Sequence, residues 1–192
     1  MREETKRIFE SIDELMKAIE EGTIRVEDEI ITKDKDGTAI FVVADIRDGW
    51  ITFVRKFVLQ DYKPMKRKDF DLIQWLNSDY METLDKDLRA MMVTPDGQQL
   101  MDLPREIEVF GKNEYGVKEE GSRWEYFKKL NNRICGTGDD AEYSEWWWLN
   151  TPHRASAAYF CYCHLFGFAA CDNASSANGY VRPRFILAQR NQ

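Results

Sequence analysis

The residues best equipped for chemistry gather toward the C-terminal end, where Cys161, Cys163 and His164 stand almost side by side and Cys135, His153 and Cys171 are the other soft ligands. Thiolate and imidazole are zinc ligands, and alternation along a strand would put both thiols on one face. A structural zinc site wants a second, distant ligand pair, and only Cys171, Cys135 and His153 could supply it, so no metal is expected. Calcium needs several carboxylate and carbonyl oxygens in one loop, for which Asp172 with Asn173 is a thin supply. No Gly-x-Ser-x-Gly, phosphate-binding glycine loop or His-Glu-x-x-His occurs, so no nucleophile paired with a base is legible. The acid pairs Glu119-Glu120 and Asp139-Asp140 read as solvated loop charge. The expectation is a protein that is not an enzyme and holds no cofactor.

The surrounding segment is unusual in composition. From Leu149 to Ala188 there is no Lys, Glu, Gln, Met or Trp, although all five types are common in the rest of the chain. None of the five can be encoded by a codon ending in C or T. A mutator scrambling the first two bases of AAC codons would leave that signature, and so would a polar loop region of an ordinary domain. Tyr159 to Phe166 is apolar on both alternating faces, which fits either a buried strand or a surface from which Tyr162, His164, Phe166 and Phe168 project. In the second case, rigid aromatics would supply contact area at small entropic cost beside adaptable Ser, Asn and Gly, as in antibody paratopes.

The elements that must position this segment follow from pattern. With 192 residues, 43% hydrophobic and 13% aromatic, the chain can bury one main core. A formal charge of −7 and a pI near 5.0 argue against nucleic acid as a partner. No stretch approaches the roughly 18 to 20 apolar residues that span a bilayer, and the charged start MREETKRIFE is unlike a signal peptide, so synthesis in the cytoplasm without membrane insertion is expected. The cysteine spacing implies free thiols.

Residues 4–21 read as an amphipathic helix ended by Gly22, packing on the domain or on a neighbouring chain, which leaves a homo-oligomer open. TAIFVVADI and WITFVRKFVL, set off by Asp36-Gly37 and Asp48-Gly49, read as a β-meander. Helical spacing resumes from Asp69, taken as a cap, with a second short helix from Leu84 to Met92 and a turn at Pro95-Asp96-Gly97. IEVFG at 107–111 reads as a strand. SRWEYFKKLNNRI at 122–134 reads as a helix capped by Ser122, with Glu125 completing a capping box. Trp146 to Leu149 and Val181 to Leu187 read as strands holding the biased segment between them as a displayed loop system.

The motif WWWLNTP, the small and polar stretch around Gly167, the run NASSANGY and the closing VRPRFIL together resemble the C-terminal variable regions of diversity-generating retroelement target proteins. The resemblance is best over residues 69–188. It implies an α+β fold, a C-type-lectin-like domain with a mixed, mainly antiparallel sheet, two helices and long loops. That domain would span residues 23–192, with a hypervariable region at about 150–185, behind an N-terminal helix over residues 1–22 and the meander. In such proteins a reverse transcriptase copies a template while mutating its adenines, and the product replaces the variable repeat.

Carried onto this chain, Trp146, Trp147, Trp148, Leu149, Phe160, Gly167, Gly179, Arg182, Pro183 and Phe185 would form the frame. The variable, ligand-contacting positions would be His153, Ala155, Ala157, Ala158, Tyr159, Tyr162, His164, Leu165, Phe166, Phe168, Ala170, Cys171, Asp172 and Ser176. The implied function is display of a surface that binds a protein or glycan on a cell surface, for phage receptor binding or bacterial surface recognition. The chain would then be associated with a virion or displayed on a cell. The alternatives are a structural virion or fibre component, and an oxidase of the formylglycine-generating type using Cys161 and Cys163 with copper.

Overall fold

The run GTAIFVVADIR is apolar at consecutive positions, which in a strand calls for burial on both faces. The structure, a computed structural model, describes residues 6–95, 97, 99–139 and 141–189. In chain order its regular elements are β1 (Ile8–Phe9), α1 (Ile12–Glu20), β2 (Glu29–Asp34), β3 (Gly37–Arg47), β4 (Trp50–Arg55), β5 (Lys66–Arg67), β6 (Phe70–Asp71), α2 (Leu72–Trp75), α3 (Lys86–Met91), β7 (Met101–Asp102), α4 (Glu106–Phe110), β8 (Trp147–His153), β9 (Ser156–Cys163), β10 (Ala169–Asn173) and β11 (Arg184–Ala188). The fold is α+β, with mostly antiparallel sheets and a few short helices.

The larger sheet has the order β1-β2-β3-β4-β11-β7 and the smaller the order β10-β9-β8, while β5 and β6 pair only with each other. Among the described residues, the β1–β2 pairing is the one parallel pairing within the sheets. Alternation along β3 and β4 sends Phe41, Val43, Ile51 and Phe53 into one hydrophobic cluster and Val42, Ala44 and Val54 into a second. The first cluster takes α1, α2 and α3; the second takes α4, Trp124, Phe127 and the inward face of the smaller sheet. The meander is therefore as expected, and Asp48 (φ 52°) with Gly49 (φ 80°) makes the tight β3–β4 turn. Between the layers, the buried Asp34 carboxylate accepts from Arg55 Nε at 2.9 Å and Tyr80 Oη at 2.8 Å. Burial, followed by the Asp34 charge, pushes the Tyr80 phenol well up.

Several elements differ from expectation. The first helix begins at Ile12, because Ser11 caps it by accepting from Glu14 N, while Ile8 and Phe9 pair with β2 instead of continuing a helix. The start of the expected helix, Met1 to Thr5, lies outside the described residues, as do Asp96 of the expected turn and Asp140 of the second acid pair. The cap of the next helix is Asp71, whose carboxylate accepts from Ile73 N and Gln74 N; Asp69 precedes β6. After α2 the backbone widens into a π-helical turn at Leu76–Tyr80.

IEVFG is helical in α4. Glu108 accepts from the Arg105 N–H at 2.7 Å, which supports the first turn, and Gly111 at φ 74° closes the last by donating to Ile107 O. Residues 122–134 form two 3₁₀ turns, Glu125–Lys128 and Leu130–Asn132, and no α-helix. Ser122 does not cap them; its hydroxyl accepts from Arg47. Trp124, Tyr126 and Phe127 are all buried, and the carbonyls of Tyr126 and Phe127 accept from Asn132 and Arg133 side chains. The displayed loop system is mostly the strands β9 and β10. No helix among the described residues is long and apolar enough to cross a membrane.

Candidate functional site

The register of the smaller sheet sorts the chemistry-bearing residues onto two faces. Directly opposed antiparallel residues share a face and successive residues alternate. Phe160 opposes Asp172, Tyr162 opposes Ala170, and His164 N donates to Phe168 O at 2.8 Å just beyond the ladder. Those side chains, with Ala158, share the outer face. Cys161 opposes Cys171 and Cys163 opposes Ala169 on the inner face.

The inner face is core. Cys161, Cys163, Trp147 and Leu149 are each 0% exposed. Burial pushes the Cys161 and Cys163 thiols strongly up, and the Glu106 carboxylate adds to the effect at Cys161. As alternation requires, both thiols share a face, but His164 points the other way, so the three do not converge on one point. Among the described residues, no group of three or more His, Cys, Asp and Glu could hold a metal ion. Asp172 accepts from Asn173 N, and Asn173 from Ser175 N and Oγ, so these oxygens serve local turns.

The outer face is aromatic. Tyr162 lies 4.6 Å from Trp146 between ring centroids, Trp146 lies 4.9 Å from Trp148, and His164 stacks on Phe168 at 4.2 Å. Burial, then the Asp172 charge, raises the Tyr162 phenol. At the turn, Phe166 and Phe168 are 66% and 50% exposed, and His164 Nδ1 accepts from Phe166 N at 3.3 Å. Leu130 packs beside Gly167, whose φ of 79° and missing Cβ allow the approach.

The expected variable positions do not form one patch. His153, Ala155, Ala157 and Tyr159 cluster at the β8–β9 turn, where His153 Nδ1 accepts from Ala155 N at 3.2 Å. Leu165 and Phe166 lie at the opposite end of β9, in the β9–β10 turn. Ala158, Tyr162, His164, Phe168, Ala170 and Asp172 share the outer face between them, Cys171 lies on the inner face at the sheet edge, and Ser176 follows β10. None of these positions is buried.

Of the frame positions, Trp147, Trp148, Leu149, Gly167, Gly179, Arg182, Pro183 and Phe185 are buried, while Trp146 and Phe160 are half-buried. Gly179 lies against the Trp148 indole so closely that a Cβ would come within 2.1 Å of its Nε1, a group already donating to Lys63 O at 2.9 Å. Arg182 lies under the rings of Tyr126, Phe127 and Trp147 and donates to the carbonyls of Arg55, Lys56 and Asn132.

Beside the outer face opens a cleft of about 530 Å³, lined by Phe160 and Asn150 from the smaller sheet and by Lys66, Gln74, Asn77 and Ser78 across from it. Nothing in the spacing of these polar residues shows that they meet: Asn150 belongs to the WWWLNTP motif, whereas Lys66, Gln74, Asn77 and Ser78 come from much earlier in the chain.

Residues 103–189 match the model of DUF6273, a domain of unknown function. No curated protein and no solved structure matches the chain. The DUF6273 match takes in α4, the whole smaller sheet and β11, and leaves out the β2–β4 meander against which β11 is paired.

Proposed function

We propose that this is a ligand-display protein, a C-type-lectin-like scaffold that a retroelement diversifies, binding a protein or glycan on a cell surface and catalysing no reaction of its own. What supports the reading is a partition over residues 146–185: every expected variable position is exposed or half-buried, whereas every expected frame position except the half-buried Trp146 and Phe160 is buried. A site under heavy substitution must keep its changes away from the core, where the loss or gain of even one methylene is felt. The α+β architecture, with its mostly antiparallel sheets, is compatible with a lectin-like scaffold. The exposed aromatics at the β9–β10 turn and the aromatic outer face, with its one carboxylate at Asp172, give the contact chemistry such a surface needs. Deep burial of Cys161 and Cys163 speaks against the oxidase alternative, since a resting copper site on this pair needs both thiols ionised together, which burial disfavours.

The deciding experiment is sequencing of the genomic neighbourhood. The reading expects a near-copy of the codons for residues 150–185 in which the exposed positions read AAC or AAT, beside a reverse transcriptase gene. A neighbourhood with neither would overturn diversification and leave a domain with a fixed partner or a structural role.

A further inference from the structure

Cys161 and Cys171 stand directly opposite each other on adjacent antiparallel strands. Whether such a pair can be bridged depends on which kind of pair it is. Ala174 N donates to Ala158 O at 2.8 Å at one end of the β9–β10 ladder and His164 N to Phe168 O at 2.8 Å at the other. These two bonds make the even-numbered positions of β9 the hydrogen-bonded pairs, so Cys161 and Cys171 form a non-hydrogen-bonded pair. Cα atoms in such pairs are about 4.5 Å apart and their side chains approach most closely. Disulfides span Cα separations of about 4.4 to 6.8 Å. Cys163 has no such partner, because it opposes Ala169.

We propose that Cys161 and Cys171 form a cross-strand disulfide under oxidising conditions, tying the edge strand β10 to the centre of the smaller sheet. The inference goes beyond the display reading and does not depend on it. All four cysteines are free thiols in this structure, with Cys171 half-buried and Cys161 fully buried.

Accessibility sets the order of events. The Cys171 thiolate attacks a low-molecular-weight disulfide such as oxidised glutathione, forming a mixed disulfide and releasing one glutathione thiolate. Cys161, after losing its proton, then attacks the Cys171 sulfur, the protein disulfide forms, and the second glutathione leaves as a thiolate. Two cysteine thiols are oxidised and one glutathione disulfide is reduced to two thiols.

Cys161 hydrogen-bonds the Glu106 carboxylate, which also accepts from Tyr115 N at 3.0 Å and Gly116 N at 2.8 Å. Turning the sulfur toward Cys171 therefore leaves no buried carboxylate without partners. Burial raises both thiols, so the exchange should quicken as pH rises.

The test equilibrates the full chain with reduced and oxidised glutathione, quenches it with an alkylating agent in denaturant, and maps the peptides by mass spectrometry. The expected product is a Cys161–Cys171 linkage, lighter by two hydrogens, with Cys135 and Cys163 alkylated. Its thermal midpoint should exceed that of the reduced protein by roughly 5 to 10 °C, a gap that vanishes in Cys171→Ser. Four alkylated cysteines, glutathione retained on Cys171 with Cys161 alkylated, or a linkage to Cys135 or Cys163 would each overturn the proposal.

Discussion

Trp147 and Phe166 are both large aromatics of the smaller sheet, yet truncation should affect them in opposite ways. Trp147 is fully buried, stacks on Phe127 at 5.9 Å, covers the Arg182 guanidinium at 5.0 Å and donates its indole N–H to Arg133 O at 3.1 Å. Its replacement by alanine removes packing and a hydrogen bond together and should cost roughly 3–5 kcal/mol, a fall of about 6 to 20 °C in thermal midpoint. Phe166 is 66% exposed, and Phe166→Ala should stay within about 0.5 kcal/mol of the wild type. Tyr162, half-buried against Trp146, should fall between them, which makes it a poorer display residue than its position in the biased segment suggests. Calorimetry of the three variants checks the order. A Phe166→Ala loss as large as that of Trp147→Ala would remove the physical basis of the display model.

At the scale of elements, the short strand β7 sits at the edge of the larger sheet, and its outer side is closed by a side chain instead of another strand. Asn77 Nδ2 donates to Met101 O at 2.7 Å and Asn77 Oδ1 accepts from Met101 N at 2.9 Å, so the amide imitates a strand neighbour. Asn77→Asp keeps the size and the acceptor but loses the donor, leaving the Met101 carbonyl facing a carboxylate. The cost should be about 1–3 kcal/mol, read as a lower denaturant midpoint, and an unchanged midpoint would show the contact to be incidental. No sequence pattern announces this role. The elements that were legible have a strong period or a strong turn: β3 and β4 around Asp48-Gly49, α3, and the strands at Trp147 and Phe185. Those that were not are short and governed by tertiary partners. IEVFG has too few residues for its period to separate strand from helix. Ser122, a plausible cap by spacing, is engaged by Arg47 instead. The alternation of Cys161 and Cys163 was legible; the pairing of Cys161 with Cys171 required the register of β9 against β10.

Across the whole molecule, the two sheets meet along a polar seam, separate from the buried Asp34–Arg55–Tyr80 cluster. Asn150 of β8 donates to Asp102 of β7 at 2.7 Å, Arg184 of β11 donates to the other Asp102 oxygen at 2.8 Å, and Thr151 of β8 accepts from Glu106 N and donates to Glu119 at 3.2 Å. The seam has a pH dependence of definite sign. Burial raises the Glu119 carboxyl above its ordinary value, against the opposing pull of Arg105 and the Thr151 hydroxyl. A carboxyl raised on folding binds its proton more tightly in the folded chain. Its contribution to stability is therefore fully present below the unfolded-state value and is lost as pH rises through the folded-state one. Glu119→Gln keeps an acceptor for the Thr151 hydroxyl and removes the titration. The difference in thermal midpoint between this variant and the wild type should move in the variant's favour from about pH 4 to about pH 7. A constant difference over that range would mean that the Glu119 ion pair with Arg105, at 3.7 Å, offsets the cost of burial. The joint between the two sheets would then be insensitive to acid, and the outer face of the smaller sheet would be held alike at both pH values.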